Sequence, residues 1–232
     1  MLLIPAIDLR NGFCVRLLQG ESDKETVYSN DPAAMAVTFE EAGAKRLHLV
    51  DLDGAFQGEG ANISSICSIL KNVSIPVQIG GGLRTEEDIE RMLALGVSAV
   101  IVGTMAVKRP DVLEKLLKKY TDEQIILGID ARNRKVSIEG WKESTKIQDV
   151  EFALRWENSG IKRVVFTDIS RDGMLSGPNL AALREMAEHT GLKIVASGGI
   201  SSMEDLEQLK TLEPYGVCLL YTSPSPRDLS TS

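Results

Sequence analysis

Apolar residues in this chain gather in short runs. Each run opens into a turn carrying glycine or aspartate, and a segment with helical spacing follows. Leu2–Ile7 is the first such run, with Pro5 an awkward guest for a central strand. Asn11-Gly12 then signals a turn, Phe13–Leu17 a short return strand, and polar Gln19–Tyr28 a loop. Asp31-Pro32 reads as an N-cap with proline at N1, opening a helix to about Ala42. Leu47–Val50 is strand two. A loop through Asp51, Asp53, Gly58 and Gly60 leads to Asn62, read as the cap of a helix that turns Ile63, Ile66 and Ile69 inward. Val77–Ile79 runs into three glycines, a helix opened by Thr85 and Asp88 follows, and Ala99–Val102 runs into Gly103 and Thr104. The pattern continues with a helix to about Lys119, strand Ile125–Ile129 ending at Asp130, and a local pairing segment Val136–Ile138. A loop from Gly140-Trp141, a helix Asp149–Asn158 and strand Arg163–Phe166 complete that stretch. A loop Ser170–Gly177, a helix from Asn179 to about His189, strand Lys193–Ala196 and a helix from Ser202 come last. Seven strand–helix units before residue 216 fit a closed (β/α)8 TIM barrel better than a doubly wound sheet.

A repeat supports the barrel. LHLVDLDGAFQGEGAN from Leu47 matches VVFTDISRDGMLSGPN from Val164, placing Asp51 against Asp168 and Asn62 against Asn179, each 117 residues apart. VQIGGGLRTEEDIERM from Val77 matches IVASGGISSMEDLEQL from Ile194 at the same spacing, so Gly81, Gly82 and Asp88 answer to Gly198, Gly199 and Asp205. AIDLRNG from Ala6 matches GIDARNR from Gly128, 122 residues on, and sets Asp8 against Asp130. Two half-barrels of four units each, about 1–122 and 123–217, explain this order.

The repeat carries chemistry. Asp8 and Asp130 fall just past the ends of strands one and five, which lie on opposite sides of an eight-stranded barrel. Two such carboxylates can serve as general acid and general base if their surroundings separate their pKa values. Either could instead anchor a loop, and the pattern does not decide which is acid and which is base. Glycine turns after strands three and seven can offer backbone N–H groups to anions, or simply permit tight turns. Together they imply an elongated ligand, with a bisphosphate the obvious candidate.

Composition narrows the classes. The 232 residues are 43% hydrophobic and 25% charged, enough for a substantial core. A net charge of -7 argues against nonspecific nucleic-acid binding. No apolar run approaches a membrane span, and MLLIPAIDLRNG reads as a first strand and not as a signal peptide. Cys14, Cys67 and Cys218 form neither a metal pattern nor a disulfide framework, which points to a reducing cytoplasm. His48, inside strand two, and His189, near a helix end, read as packing or capping residues.

These segments also resemble a known family, the barrel isomerases of histidine biosynthesis (phosphoribosylformimino-5-aminoimidazole carboxamide ribotide isomerases). IPAIDLRNGFCVRLLQG at Ile4, HLVDLDGAFQG at His48, VQIGGGLRTEEDI at Val77 and VIVGTMAV at Val100 carry the likeness in the first half. GIDARN at Gly128, FTDISRDGMLSGPN at Phe166 and ASGGISSMEDL at Ala196 carry it in the second. The resemblance covers about residues 1–217 and implies an Amadori rearrangement of an aminoaldose to an aminoketose, with no metal and no organic cofactor. It implies Asp8 as general base, Asp130 as general acid, and Thr167 as the hydroxyl that orients the opened sugar and supports Asp130. Gly81, Gly82, Gly103 and Thr104 would clamp one phosphate, and Gly177, Gly198 and Gly199 the other. Arg16, Asp51, Trp141 and Asp172 are further candidate substrate contacts, whereas Arg84 reads as a helix-surface charge. The expected partner is a small-molecule bisphosphate, with no membrane, no nucleic acid and a monomeric barrel.

One segment departs from the pattern. GVSAVIVGT from Gly96 calls for a second copy near Gly216, but the chain reads GVCLLYTSPSPRDLSTS, with Ser223 and Pro224 where Gly103 and Thr104 would correspond. The family has a strand, a glycine, a lysine and a final helix here. Strand eight and helix eight are therefore expected to be truncated or replaced, with Leu219–Tyr221 a stub and residues 218–232 a disordered non-family tail. The expected cost is weak stability and poor activity. Three alternatives stand beside the isomerase: dual specificity for phosphoribosyl anthranilate, the related imidazole glycerol phosphate synthase cyclase, and an inactive sugar-phosphate-binding remnant.

Overall fold

A computed structural model describes residues 1–18, 21–57, 62–174 and 176–222. They fall into two compact units, one built on residues 3–100 and the other on residues 101–220 with the first two residues.

In the first unit β1 (Leu2–Arg10), β2 (Phe13–Leu18) and β3 (Glu21–Ser29) precede α1 (Pro32–Glu41). Then come β4 (Leu47–Asp51), α2 (Leu52–Gln57), α3 (Ile63–Asn72), β5 (Val77–Gly80), α4 (Glu86–Ala94) and β6 (Ala99–Val102). Strands β1, β4, β5 and β6 pair in parallel and in chain order. Asp31 caps α1 by accepting from Ala34 N–H at 3.0 Å. Thr85 and Asp88 close a capping box on α4. Ile66, Ile69, Ile89 and Met92 turn from these helices into the core, together with Leu47, Leu49 and Ile79 of the strands.

The second unit contains α5 (Thr104–Lys108), α6 (Pro110–Lys119), β7 (Ile125–Arg132), β8 (Lys135–Ile138) and β9 (Glu143–Gln148). It continues through α7 (Asp149–Asn158), β10 (Arg163–Asp168), α8 (Leu180–His189), β11 (Lys193–Ser197), α9 (Met203–Lys210), a 3-10 turn at Glu213–Tyr215, and β12 (Val217–Thr222). Strands β7, β10, β11 and β12 are again parallel. Ser202 and Asp205 repeat the capping box on α9. Phe152 and Trp156 of α7 meet edge to face in the core, with ring centroids 6.4 Å apart. Strands alternating with helices over parallel sheets are the pattern of the TIM-barrel fold class.

Several expectations are corrected. β1 and β7 do not stop at Asp8 and Asp130: each runs on to an arginine before the expected return segment, β2 or β8, pairs back on it. Gln19–Tyr28 is not a loop, since β3 pairs with β2 from Glu21 on, and the loop after Trp141 contains β9, paired with β8. Both missed strands are polar and solvent-facing at their described side chains, so backbone pairing makes them strands without an apolar period to betray them. Short helices α2 and α5 replace stretches read as turn. Strand eight is more than a stub: β12 spans six residues and follows β11 through a register shift between Ile194 and Val195. Gly58 and Gly60, and the tail from Ser223 on, lie outside the described residues.

Candidate active site

In the first unit a buried polar knot sits where β4 ends. Asp51 Oδ1 accepts from Gly54 N–H at 3.0 Å and from the Asn62 amide at 2.7 Å. Burial pushes the Asp51 carboxyl above its usual range, against the pull of these donors. Gly81 and Gly82 close over the knot with φ of +97° and +70°. A Cβ on Gly81 would lie 2.3 Å from the Asp51 carbonyl oxygen, and one on Gly82 would lie 2.5 Å from Gly54. These glycines are thus demanded by backbone packing as well as by their turn. Asp8, half-buried, stands opposite Val50 of β4 and Val15 of β2; Arg16 is the residue after Val15 in β2. Arg84 reaches the Ala55 carbonyl at 2.9 Å, a bridge to α2 that the helix-surface reading missed.

In the second unit Asp130 and Thr167 face each other in the β7–β10 register. The Thr167 hydroxyl and the Trp141 indole N–H both donate to the Asp130 carboxyl, and burial nevertheless carries its pKa above the ordinary value. Trp141 ends a run of three left-handed residues, Glu139 (φ 57°), Gly140 (φ 63°) and Trp141 (φ 69°). Backbone so strained persists only where its surroundings hold it. One tie is visible: Glu139 N–H donates to Thr104 Oγ1 at 3.0 Å. Thr104 is the first residue of α5, and its cap Gly103 passes close to the Gly128 carbonyl. Gly177 N–H donates to the Gly199 carbonyl at 3.0 Å, and a Cβ on Gly199 would come within 2.4 Å of the Gly177 carbonyl oxygen. Gly198 packs on Asp168 as Gly81 does on Asp51. Asp172, half-buried, lies in the turn after β10, with its N–H on the Asp168 carbonyl at 3.1 Å.

The structure therefore groups Asp130 with Thr167 and Trp141, Thr104 with the Trp141 loop, and Gly177 with Gly198 and Gly199. Two contributors were not singled out from sequence. Arg171 gathers the carbonyls of Ser176, Gly177 and Pro178 under the glycine turn. Asn62, read as a helix cap, makes no cap bond and spends its side chain elsewhere. For Asn62 the signal was there, since its repeat partner follows an aspartate at the same distance. Among the described residues no group of three or more His, Cys, Asp or Glu could hold a metal ion.

The family model described as "Histidine biosynthesis protein" matches residues 2–219. The chain belongs to the histidine biosynthesis protein family. It is 55% identical over 217 residues to the 1-(5-phosphoribosyl)-5-((5-phosphoribosylamino)methylideneamino) imidazole-4-carboxamide isomerase of Pelotomaculum thermopropionicum, covering 94% of this chain and 83% of the relative. The equally named proteins of Syntrophomonas wolfei and Prosthecochloris aestuarii are 50% and 46% identical, with 94% of this chain covered in both cases and 89% and 83% of the relatives. The likeness to this family thus spans both units. No helix among the described residues is long and apolar enough to cross a membrane.

Proposed function

We propose that the chain is an aldose–ketose isomerase of histidine biosynthesis, acting on the imidazole carboxamide bisphosphate for which its relatives are named. The observation that carries the assignment of roles is the state of Asp130. Burial raises its pKa from the ordinary carboxylate value, and the Thr167 hydroxyl and Trp141 indole N–H that donate to it fix its orientation. Such a group suits a general acid. It protonates the ring oxygen of the aminoaldose, the C1–O bond breaks, and an iminium forms at C1. Asp8, at the equivalent place in the first half of the repeat, is the base that removes the C2 proton. The C–H electron pair becomes the C1–C2 double bond of an enaminol. Proton transfer to C1 and loss of the hydroxyl proton then give the aminoketose.

In this reading the paired glycines and Thr104 serve the two phosphates, Arg16, Asp51, Trp141 and Asp172 lie along the rest of the substrate, and no metal or organic cofactor takes part. One chain carries both carboxylates, so the working unit is a monomer, and its setting is the cytoplasm. The test is an isomerisation assay on the purified chain, with Asp8→Asn and Asp130→Asn beside it. Loss of turnover by about 100-fold or more in each, with substrate binding retained, is expected. Unchanged turnover in both would sink the acid–base assignment. Phosphoribosyl anthranilate and the cyclase substrate with ammonia, run in the same assay, separate the alternative activities.

A further inference from the structure

We infer that Asn62 is a positioning residue for Asp8: it holds the segment in which β1 leaves β4 for its hairpin, and so sets where the Asp8 carboxylate stands. This rests on the reading of Asp8 as the base.

Asn62 is fully buried and stands directly before α3, yet its side chain does not cap that helix. Its Oδ1 accepts from Gly12 N–H at 2.9 Å. Its Nδ2 donates to Asp51 Oδ1 at 2.7 Å and Asp53 Oδ2 at 2.9 Å, and shares a longer bond with the Leu9 carbonyl at 3.2 Å. Asp53 Oδ2 in turn accepts from Asn11 N–H at 2.6 Å. One amide and its carboxylate neighbour thus grip Leu9, Asn11 and Gly12, the residues that follow Asp8. This is also where β1 changes partners, since Leu9 lies opposite Asp51 on one side and Cys14 on the other. A strand shared between two pairings needs its exit direction fixed by something outside the ladder, and Asn62 supplies it.

The residue type is what the site requires. The amide has a donor at one end and an acceptor at the other, and its donor end points between two carboxylates. Aspartate would add a third negative charge, and serine would reach fewer partners. The repeat provides an internal comparison. Asn179, at the matching position, caps α8 through Ala182 N–H at 3.1 Å and gives its amide to Asp168 at 2.6 Å. In that half the β7–β8 hairpin is tied by Arg134, whose guanidinium binds Asp149 at 2.6 and 2.9 Å. Asn62 has left the cap role to hold the Asp8 hairpin directly.

The test is steady-state kinetics on Asn62→Ala in the full chain, with kcat expressed per folded molecule. Misplacing the base lowers kcat by about 10- to 100-fold and leaves KM within about threefold. Partial unfolding alone lowers the folded fraction but not kcat per folded molecule. Ser74→Ala, which removes a hydroxyl bonded to Glu40 in the loop before β5, is the stability control and keeps wild-type kcat. A kcat per folded molecule within twofold of wild type, or a loss confined to KM, overturns the inference. If Asn62→Ala does not fold, Asn62→Ser, which keeps a polar group without adding charge, carries the same two outcomes. Asp8→Asn separates the two levels. Wild-type turnover there removes the role of Asp8 itself, whereas a dead Asp8→Asn beside an unaffected Asn62→Ala removes only the positioning role.

Discussion

Replacing Gly81 by alanine isolates the cost of the contact that closes the turn after β5. Gly81 has φ +97°, and an added Cβ would lie 2.3 Å from the Asp51 carbonyl oxygen, 2.9 Å from its carbon and 3.0 Å from its nitrogen. All three are backbone atoms at the end of β4, so no side chain can swing aside. Gly43 provides the matched control: its φ is +98°, and a Cβ there meets nothing within 4 Å. The left-handed backbone alone costs an alanine about 1–2 kcal/mol. The reduced freedom of the unfolded chain returns about 0.4–1 kcal/mol. Gly43→Ala should therefore lose roughly 0–1.6 kcal/mol. At Gly81 the overlap adds about 1–3 kcal/mol of forced backbone movement, for a total near 1–4.6 kcal/mol. In a domain of this size each kcal/mol is about 2–4 °C of Tm. Urea and thermal melts followed by circular dichroism measure both variants, and Gly81→Ala should unfold several degrees below Gly43→Ala. Gly198→Ala, with φ +90° and the Asp168 carbonyl oxygen at 2.8 Å, should fall between them. Equal melting of the Gly81 and Gly43 variants would refute the argument that the Asp51 backbone, and not φ alone, demands glycine.

Other expectations follow from charge and burial. Because the folded-state pKa of Asp130 is raised, its contribution to stability is full at acid pH and lost as pH rises through the folded value. Asp130→Asn should therefore be more stable than wild type at pH 7.5 while losing turnover, and the gain should vanish in acid; urea midpoints at the two pH values check this. Burial pulls the His48 imidazole from 6.5 down to about 3, so stability is full above the unfolded value and lost as pH falls between the two. The expected slope in that window is about 1.4 kcal/mol per pH unit, and His48→Gln should remove it; parallel pH–stability curves would count against the assignment. Arg134→Ala removes both guanidinium bonds to Asp149, whose side chain is 2% exposed and keeps the Val150 N–H bond, and should cost about 2–4 kcal/mol in denaturant melts. The partly solvated guanidinium keeps this towards the low end.

Much of this protein was legible in its residues. Local physics was enough for α1, α4 and α9, whose caps and apolar spacing fall within a few positions of one another. The repeat matched Asp51 with Asp168 and Asn62 with Asn179, and the structure then joins the two within each half, Asn62 to Asp51 and Asn179 to Asp168. It also matched Gly81 with Gly198, which pack on corresponding backbone. The family resemblance, and not the repeat, named Thr167 as a support of Asp130, and its hydroxyl donates there.

Tertiary structure decided what depends on partners distant in the chain. β3 and β9 exist because another strand's backbone meets theirs, a cause that leaves no apolar period in the residues themselves. Asn62 has the sequence of a cap and the role of a brace, because Leu9 and Gly12, some fifty residues earlier, compete for its amide and carbonyl. Trp141 reaches Asp130 only because three successive residues accept left-handed backbone. Sequence determined the parallel α/β plan, the repeat and the chemically capable residues, since these rest on local spacing and side-chain type. Which side chain holds which depended on long-range hydrogen bonds, whose geometry exists only once the strands have paired.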